Sequence, residues 1–90
     1  MYLLQIYFKM DKNELTNLIN SGREIEFVYN NNKFSITYGI VNGNEVISFC
    51  EFNKESTEVE TVIELLKIKR NGISVEEMLN SITKKDIWIF

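Results

Sequence analysis

Residues 23–52 read REIEFVYNNNKFSITYGIVNGNEVISFCEF, and this run decides the fold. Apolar and polar side chains alternate through 23–30, 33–41 and 45–52, the period of a strand with one buried face. Asn31-Asn32 and Asn42-Gly43-Asn44 interrupt the alternation. Asparagine and glycine tolerate the positive φ that two-residue hairpin turns require. A turn at Asn31-Asn32 pairs Tyr29 with Phe34, Phe27 with Ile36 and Ile25 with Tyr38. The second turn uses Asn42-Gly43 or Gly43-Asn44; either choice puts Ile47 and Phe49 on the face of Ile36 and Tyr38. Ile25, Phe27, Tyr29, Phe34, Ile36, Tyr38, Ile47 and Phe49 thus share one face. Ser35, Thr37, Ser48 and Cys50 lie on the other, with Val28, Val46 and Phe52 as its apolar members.

Helical signals flank the meander. Asp11 with Glu14 is a capping pair, Met10 and Leu15 occupy the staple positions, and Leu15, Leu18 and Ile19 form a stripe. Ser21-Gly22 ends this first helix. Downstream, Thr57 with Glu60, or Thr61 with Glu64, opens a second helix that ends near Lys67, with Val59, Val62, Ile63 and Leu66 as its stripe. After the break at Asn71-Gly72, Ser74 and Glu77 cap a third helix that turns Met78, Leu79 and Ile82 inward, and Lys84 and Lys85 close it. The expected architecture is α+β: a three- or four-stranded antiparallel meander packed on one face by three short helices. Its order is (β)αβββαα plus an extended C-terminal tail.

Ninety residues at 44% hydrophobic and 26% charged are read as one domain, 1–90, able to bury a core without metal or disulfide. Histidine is absent, which removes the commonest general base and metal ligand. Cys50 is the sole cysteine, and the expected localisation is cytoplasmic. A net charge of −3 leaves sequence-independent phosphate binding without its driving force. The apolar run Met1–Phe8 is far short of the roughly 20 residues that span a bilayer, and it lacks a signal peptide's basic flank. It is either an additional edge strand, with Tyr2, Leu4, Ile6 and Phe8 on one face, or an extension upstream of a start at Met10.

Chemistry-bearing patterns are few. Glu45, Glu51, Glu55, Glu58, Glu60 and Glu64 fall within twenty residues that hold one cation, Lys54. Their spacing matches no calcium loop or metal-binding motif, so a solvated acidic surface accounts for them. Two sharper readings stay open: an acidic patch that meets a basic partner, and a carboxylate site holding a metal. Cys50 has no histidine or helix N-terminus to support a thiolate and reads as structural. No nucleophile elbow or phosphate loop occurs, so no catalytic residue, cofactor or small-molecule site is assigned. Lys67, Lys69, Arg70, Lys84 and Lys85 leave a helix-turn-helix-like DNA-binding pair as a further alternative, opposed by Glu76 and Glu77 at the start of its second helix.

The last five residues, 86–90, are the most functional-looking feature. In an extended tail Trp88 and Phe90 face opposite Ile87 and Ile89. The tail either lies along a sheet edge beside the first strand or exposes Trp88 as an anchor for a partner or a second copy.

Ser21-Gly22-Arg23-Glu24-Ile25-Glu26-Phe27, followed by Phe34-Ser35-Ile36-Thr37-Tyr38, resembles short uncharacterised proteins of low-GC bacteria and their prophages, over residues 11–85. The resemblance implies provenance and carries no functional residue. The expectation is a small, non-catalytic cytoplasmic binding protein that meets a protein partner or itself. Its candidate residues are Trp88, Phe90, Glu51, Glu55, Glu58, Glu60 and Glu64. One version is a phage-type inhibitor whose glutamates occupy a nucleic-acid channel, as small acidic anti-CRISPR proteins do; the carboxylate–metal enzyme and the DNA-binding regulator are the other classes.

Overall fold

The computed structural model describes residues 12–90; the start signature at Met10 and Asp11 and the strand expected within 1–9 lie outside them. Helix α1, Lys12–Asn20, turns Leu15 and Ile19 into the core. Gly22 ends it at φ 74°, where its N–H donates to the Ile19 carbonyl (2.9 Å) and the Arg23 N–H to that of Leu18 (3.1 Å). Strands β1 (Ile25–Tyr29), β2 (Asn32–Val41) and β3 (Asn44–Glu51) then form the expected meander. All eight side chains assigned to the inner face point to the helices, six fully buried and Tyr29 and Tyr38 half-buried at its margin.

The first turn sits one residue earlier than the Asn31-Asn32 expectation. Asn30 and Asn31 take φ 51° and 66°, so Ile25 pairs with Ile36, Phe27 with Phe34 and Tyr29 with Asn32. That register differs by two residues from the expected one, so the faces are unchanged. Three consecutive asparagines satisfy either turn equally. Packing separates them: the observed pairing gathers Phe27, Phe34 and Phe49 into a stack with centroids 5.3, 5.4 and 6.3 Å apart. The second turn is Asn42-Gly43, pairing Ile36 with Phe49 and Tyr38 with Ile47.

Two further strands widen the sheet to five. Ser56–Val59 is strand β4, beside β3, in a segment expected to begin the second helix. The capping box is the later alternative: the Thr61 side chain accepts from the Glu64 N–H (3.1 Å) and Glu64 accepts from the Thr61 N–H (3.1 Å). Helix α2, Val62–Lys67, therefore buries Leu65 and Leu66, while Ile63 is 55% exposed and Val59 belongs to a strand. Of the expected Val59–Val62–Ile63–Leu66 stripe, Leu66 is buried and Val62 and Val59 pack on the core, while Ile63 turns outward and Leu65 takes its place. Lys69–Arg70 (β5) and Ile73–Ser74 (β6) make a small hairpin about Asn71-Gly72, so the α2–α3 connection is a β-ribbon and not a helix-turn-helix.

Helix α3, Val75–Ser81, has the expected box on Ser74 and Glu77 and buries Val75, Met78 and Leu79, with Ile82 following. Lys84 and Lys85 belong to a separate 3-10 turn, Lys84–Asp86. Strand β7, Ile87–Ile89, then pairs antiparallel with β1. The sheet order is β4-β3-β2-β1-β7, with the helices on one face over a continuous buried cluster.

Removing either cap hydroxyl, by Thr61→Ala or Ser74→Ala, is expected to cost about 1 kcal/mol in urea unfolding. The Ser74 box also has a pH signature. The Ser74 N–H donates to Glu77 Oε1 and the Glu77 N–H to Ser74 Oγ, each at 3.1 Å. The backbone bond first, then the Ser74 side chain, holds the Glu77 carboxyl below its ordinary value. A depressed folded value contributes stability above the unfolded value, lost as pH falls through the folded one. The stability gap between wild type and Glu77→Gln should therefore shrink on acidification; a gap constant from neutrality to about pH 3 refutes this role.

Candidate functional site

Among the described residues the helices of the five-stranded sheet lie on its inner face, and its outer face carries the alternate side chains, polar on most strands and aromatic on β7. Cross-strand pairing arranges these in rows. One row runs Trp88, Glu26, Ser35, Cys50, Ser56 from the β7 edge to the β4 edge. The neighbouring row runs Phe90, Glu24, Thr37, Ser48, Glu58, with the Phe90 N–H donating to the Glu24 carbonyl (2.8 Å). On the other side Val28 pairs with Lys33, whose carbonyl accepts from the Phe52 N–H (2.9 Å).

The β7 end of this face is aromatic. Lys33 Nζ lies 4.8 Å from the Phe52 ring centroid, 5.7 Å from the Trp88 ring and 3.1 Å from Glu26 Oε1. One ammonium thus bridges two rings and one carboxylate, an arrangement that holds the side chains around it without a buried charge. Phe52 is 45% exposed, Trp88 43% and Phe90 59%. Lys33, by hydrogen bonding, holds the Glu26 carboxyl below its ordinary value; Glu24, sharing a hydrogen bond with Glu26, is pushed up. Arg23 Nε donates to the Phe90 carbonyl, tying the last residue to the start of β1.

The tail lies along the sheet edge beside β1, and strand geometry puts its alternate residues on opposite faces. Ile87 is 9% exposed and belongs to the core, while Trp88 and Phe90 stand on the outer face. Lys33, Glu26 and Phe52 were not among the sequence candidates. Alternation alone places them on the outer face, but only the pairing of β7 with β1 sets them beside Trp88.

The glutamates do not gather there. Glu58 is on β4 beside Ser48 (3.5 Å), at the opposite edge from β7 and roughly 19 Å away at ordinary strand spacing. Glu64 is occupied in the α2 cap, where Glu60 and Thr61 donate main-chain N–H groups to it. Glu55 is exposed in the β3–β4 turn and Glu60 just before α2. Glu51 pairs with Phe34 on the inner face and lines a cavity of about 230 Å³ with Tyr29, Arg70 and Met78. Arg70 is committed too: its guanidinium donates to Thr57 Oγ1 (2.7 Å) and the Lys69 carbonyl (2.9 Å), 5.2 Å from the Phe49 ring. The basic cluster at 67–70 therefore does not offer all its charge to solvent. Cys50 Sγ donates to the Glu51 and Lys54 carbonyls, each at 3.2 Å. Among the described residues no three Cys, Asp or Glu side chains are grouped to hold a metal ion.

Comparison with protein-family models, with curated proteins and with solved structures returned no match. No helix among the described residues is long and apolar enough to cross a membrane.

Proposed function

We propose that this chain is a small, non-catalytic, cytoplasmic binding protein of the kind carried by bacterial mobile elements. Its working surface is the β7 end of the open sheet face, and its partner is a protein. The observation that carries the reading is the presentation of Trp88 and Phe90. The ladder to β1 turns both onto the outer face while Ile87 is buried in the core on the inner face, so rigid strand geometry displays them. Tryptophan is enriched among the residues that dominate binding energy, above all where neighbouring contacts exclude water. Phe52 and Lys33 supply that surround, and Glu26 with Lys33 adds a charged pair for orientation.

Affinity capture from the source cell tests this. Trp88→Ala is expected to lose a specific protein partner by about tenfold or more, the loss typical of a hot spot. The combined Glu55→Lys, Glu58→Lys, Glu60→Lys variant is expected to retain it. The reverse pattern moves the working surface to the β4 edge and favours the acidic-inhibitor reading.

A further inference from the structure

We infer that Asn42 is a site of spontaneous modification, converted through a succinimide to aspartate and isoaspartate, while the same dipeptide at Asn71 is protected by the fold. The inference stands apart from the partner reading above. Asn42 and Asn71 are the two asparagines of the chain that precede glycine, and both are exposed. The other asparagines at positive φ, Asn30, Asn31 and Asn53, precede asparagine or lysine, whose side chains crowd the reacting nitrogen.

In the reaction the glycine main-chain nitrogen gives up its proton and bonds to the asparagine Cγ, and the side-chain nitrogen leaves as ammonia. Water then opens the cyclic imide at either carbonyl, so the balance is water in and ammonia out. The ring closes only when the glycine nitrogen is turned toward the asparagine Cβ. Asn42-Gly43 takes φ 53° and 82°, and Asn71-Gly72 takes φ 53° and 81°, the paired positive values of a type I′ turn. That turn holds the nitrogen away from Cβ, so each turn must open before its asparagine reacts. Reactivity therefore follows the free energy of local opening.

The two turns differ in what fastens them. Asn42-Gly43 ends an arm that pairs Gly39 with Val46, Ile40 with Glu45 and Val41 with Asn44. Strand β1 stops pairing at Ile36 and β4 at Ile47, so among the described residues no third strand flanks these pairs. Ile40 is 69% and Val41 42% exposed, and neither belongs to the core. A two-stranded ribbon by itself is marginal in water, and Gly39 weakens this one further by offering no side chain to pack. Asn71-Gly72 closes the shorter β5–β6 ribbon, yet that ribbon is tied to the core. Arg70 donates to Thr57 Oγ1 (2.7 Å), Ile73 packs on the buried cluster, and the N–H of fully buried Val75 donates to the Ile68 carbonyl (2.8 Å). Opening at Asn71 disturbs these contacts; opening at Asn42 disturbs none of them. Isoaspartate at 42 adds a methylene to the main chain of a two-residue turn. The product therefore unpairs the end of the arm and adds a carboxylate to a tip that already carries Glu45.

Incubating the full chain at mildly alkaline pH, with peptide mapping by mass spectrometry and detection of isoaspartate, tests this. Both asparagines are read in one sample. Asn42 is expected to convert about tenfold or more faster than Asn71 in the folded protein, and the ratio to fall toward unity in urea, where neither turn exists. Gly39→Ala, at a position where an added Cβ meets nothing within 4 Å, is expected to slow Asn42 about two- to fivefold and leave Asn71 unchanged. Equal rates in the folded chain, a faster Asn71, or a ratio that persists in urea overturns the inference. So does an Asn42 rate unmoved by Gly39→Ala in a variant that keeps the wild-type circular dichroism.

Discussion

Phe49→Ala is expected to destabilise the protein by about 3–5 kcal/mol, the cost of emptying a large aromatic site in a packed core. Phe49 has no exposed surface, stacks on Phe27 and Phe34, and carries the Arg70 guanidinium 5.2 Å from its ring. The change removes the ring that joins β3 to the stack and leaves a partly buried cation without its aromatic support. A chain of 90 residues has a total stability of roughly 5–13 kcal/mol, so this single substitution consumes much of it. The melting temperature should fall on the order of 20 °C. Phe52→Ala, three residues on and facing the other way, is expected to cost about 1 kcal/mol or less, because Phe52 is already 45% exposed. Guanidinium unfolding of the two variants side by side is decisive: equal losses would mean that the two faces of the sheet are not distinguished as described.

Deleting residues 87–90 is expected to cost about 4–6 kcal/mol, from the loss of buried Ile87 and of several ladder hydrogen bonds. The deletion turns β1 into an edge strand and strips cover from Ile25 and Phe27, which are fully buried in the intact sheet. Thermal unfolding should become broad, with the transition lowered by tens of degrees or lost. The double variant Trp88→Ser, Phe90→Ser keeps the backbone ladder and Ile87, and its stability is expected to stay within about 1–2 kcal/mol of wild type. A deletion with little effect on unfolding would show that β7 is an ornament of the sheet and not part of it. The contrast separates two parts of one strand: main chain and Ile87 hold the fold, while Trp88 and Phe90 stand exposed on the outer face.

The register of the first hairpin shows where local reading stops. Asn30, Asn31 and Asn32 all accept positive φ, so the turn residues permit two frames that differ by two positions in the ladder. Both frames keep the same face buried, and alternation cannot choose between them. The choice is made by ring packing between strands, through Phe27, Phe34 and Phe49. Strand β4 was hidden for a different reason. Ser56–Val59 has one modest apolar alternation and overlaps a capping pair, Thr57 with Glu60, and a short edge strand borrows its stability from the neighbour it pairs with. Once Thr61 is the cap, Ile63 turns outward and Leu65 and Leu66 turn in.

The candidate surface was legible as components. Trp88 and Phe90 were readable as an apolar pair on one side of a strand, and Val28, Phe52 and Cys50 as members of the outer face. Lys33 and Glu26 carry no motif, and the order of strands across the sheet supplies their meaning. The acidic run illustrates the converse, since residues close in sequence were dispersed by it: Glu51 to the inner face, Glu58 to the far edge and Glu64 into a cap.

By itself the sequence determined which side of each meander strand is buried, where the first helix stops, the Ser74–Glu77 cap of the third, and that turns fall at the asparagine clusters. These properties depend on contacts within a few residues, where the strand period, the helix period and the sign of φ act directly. Tertiary structure alone decided that β7 lies against β1, that β4 closes the other edge, and that Lys33 sits between Phe52 and Trp88. Those outcomes hang on pairings between segments far apart in the chain, for which local preference is nearly silent and the fit of a shared core makes the choice.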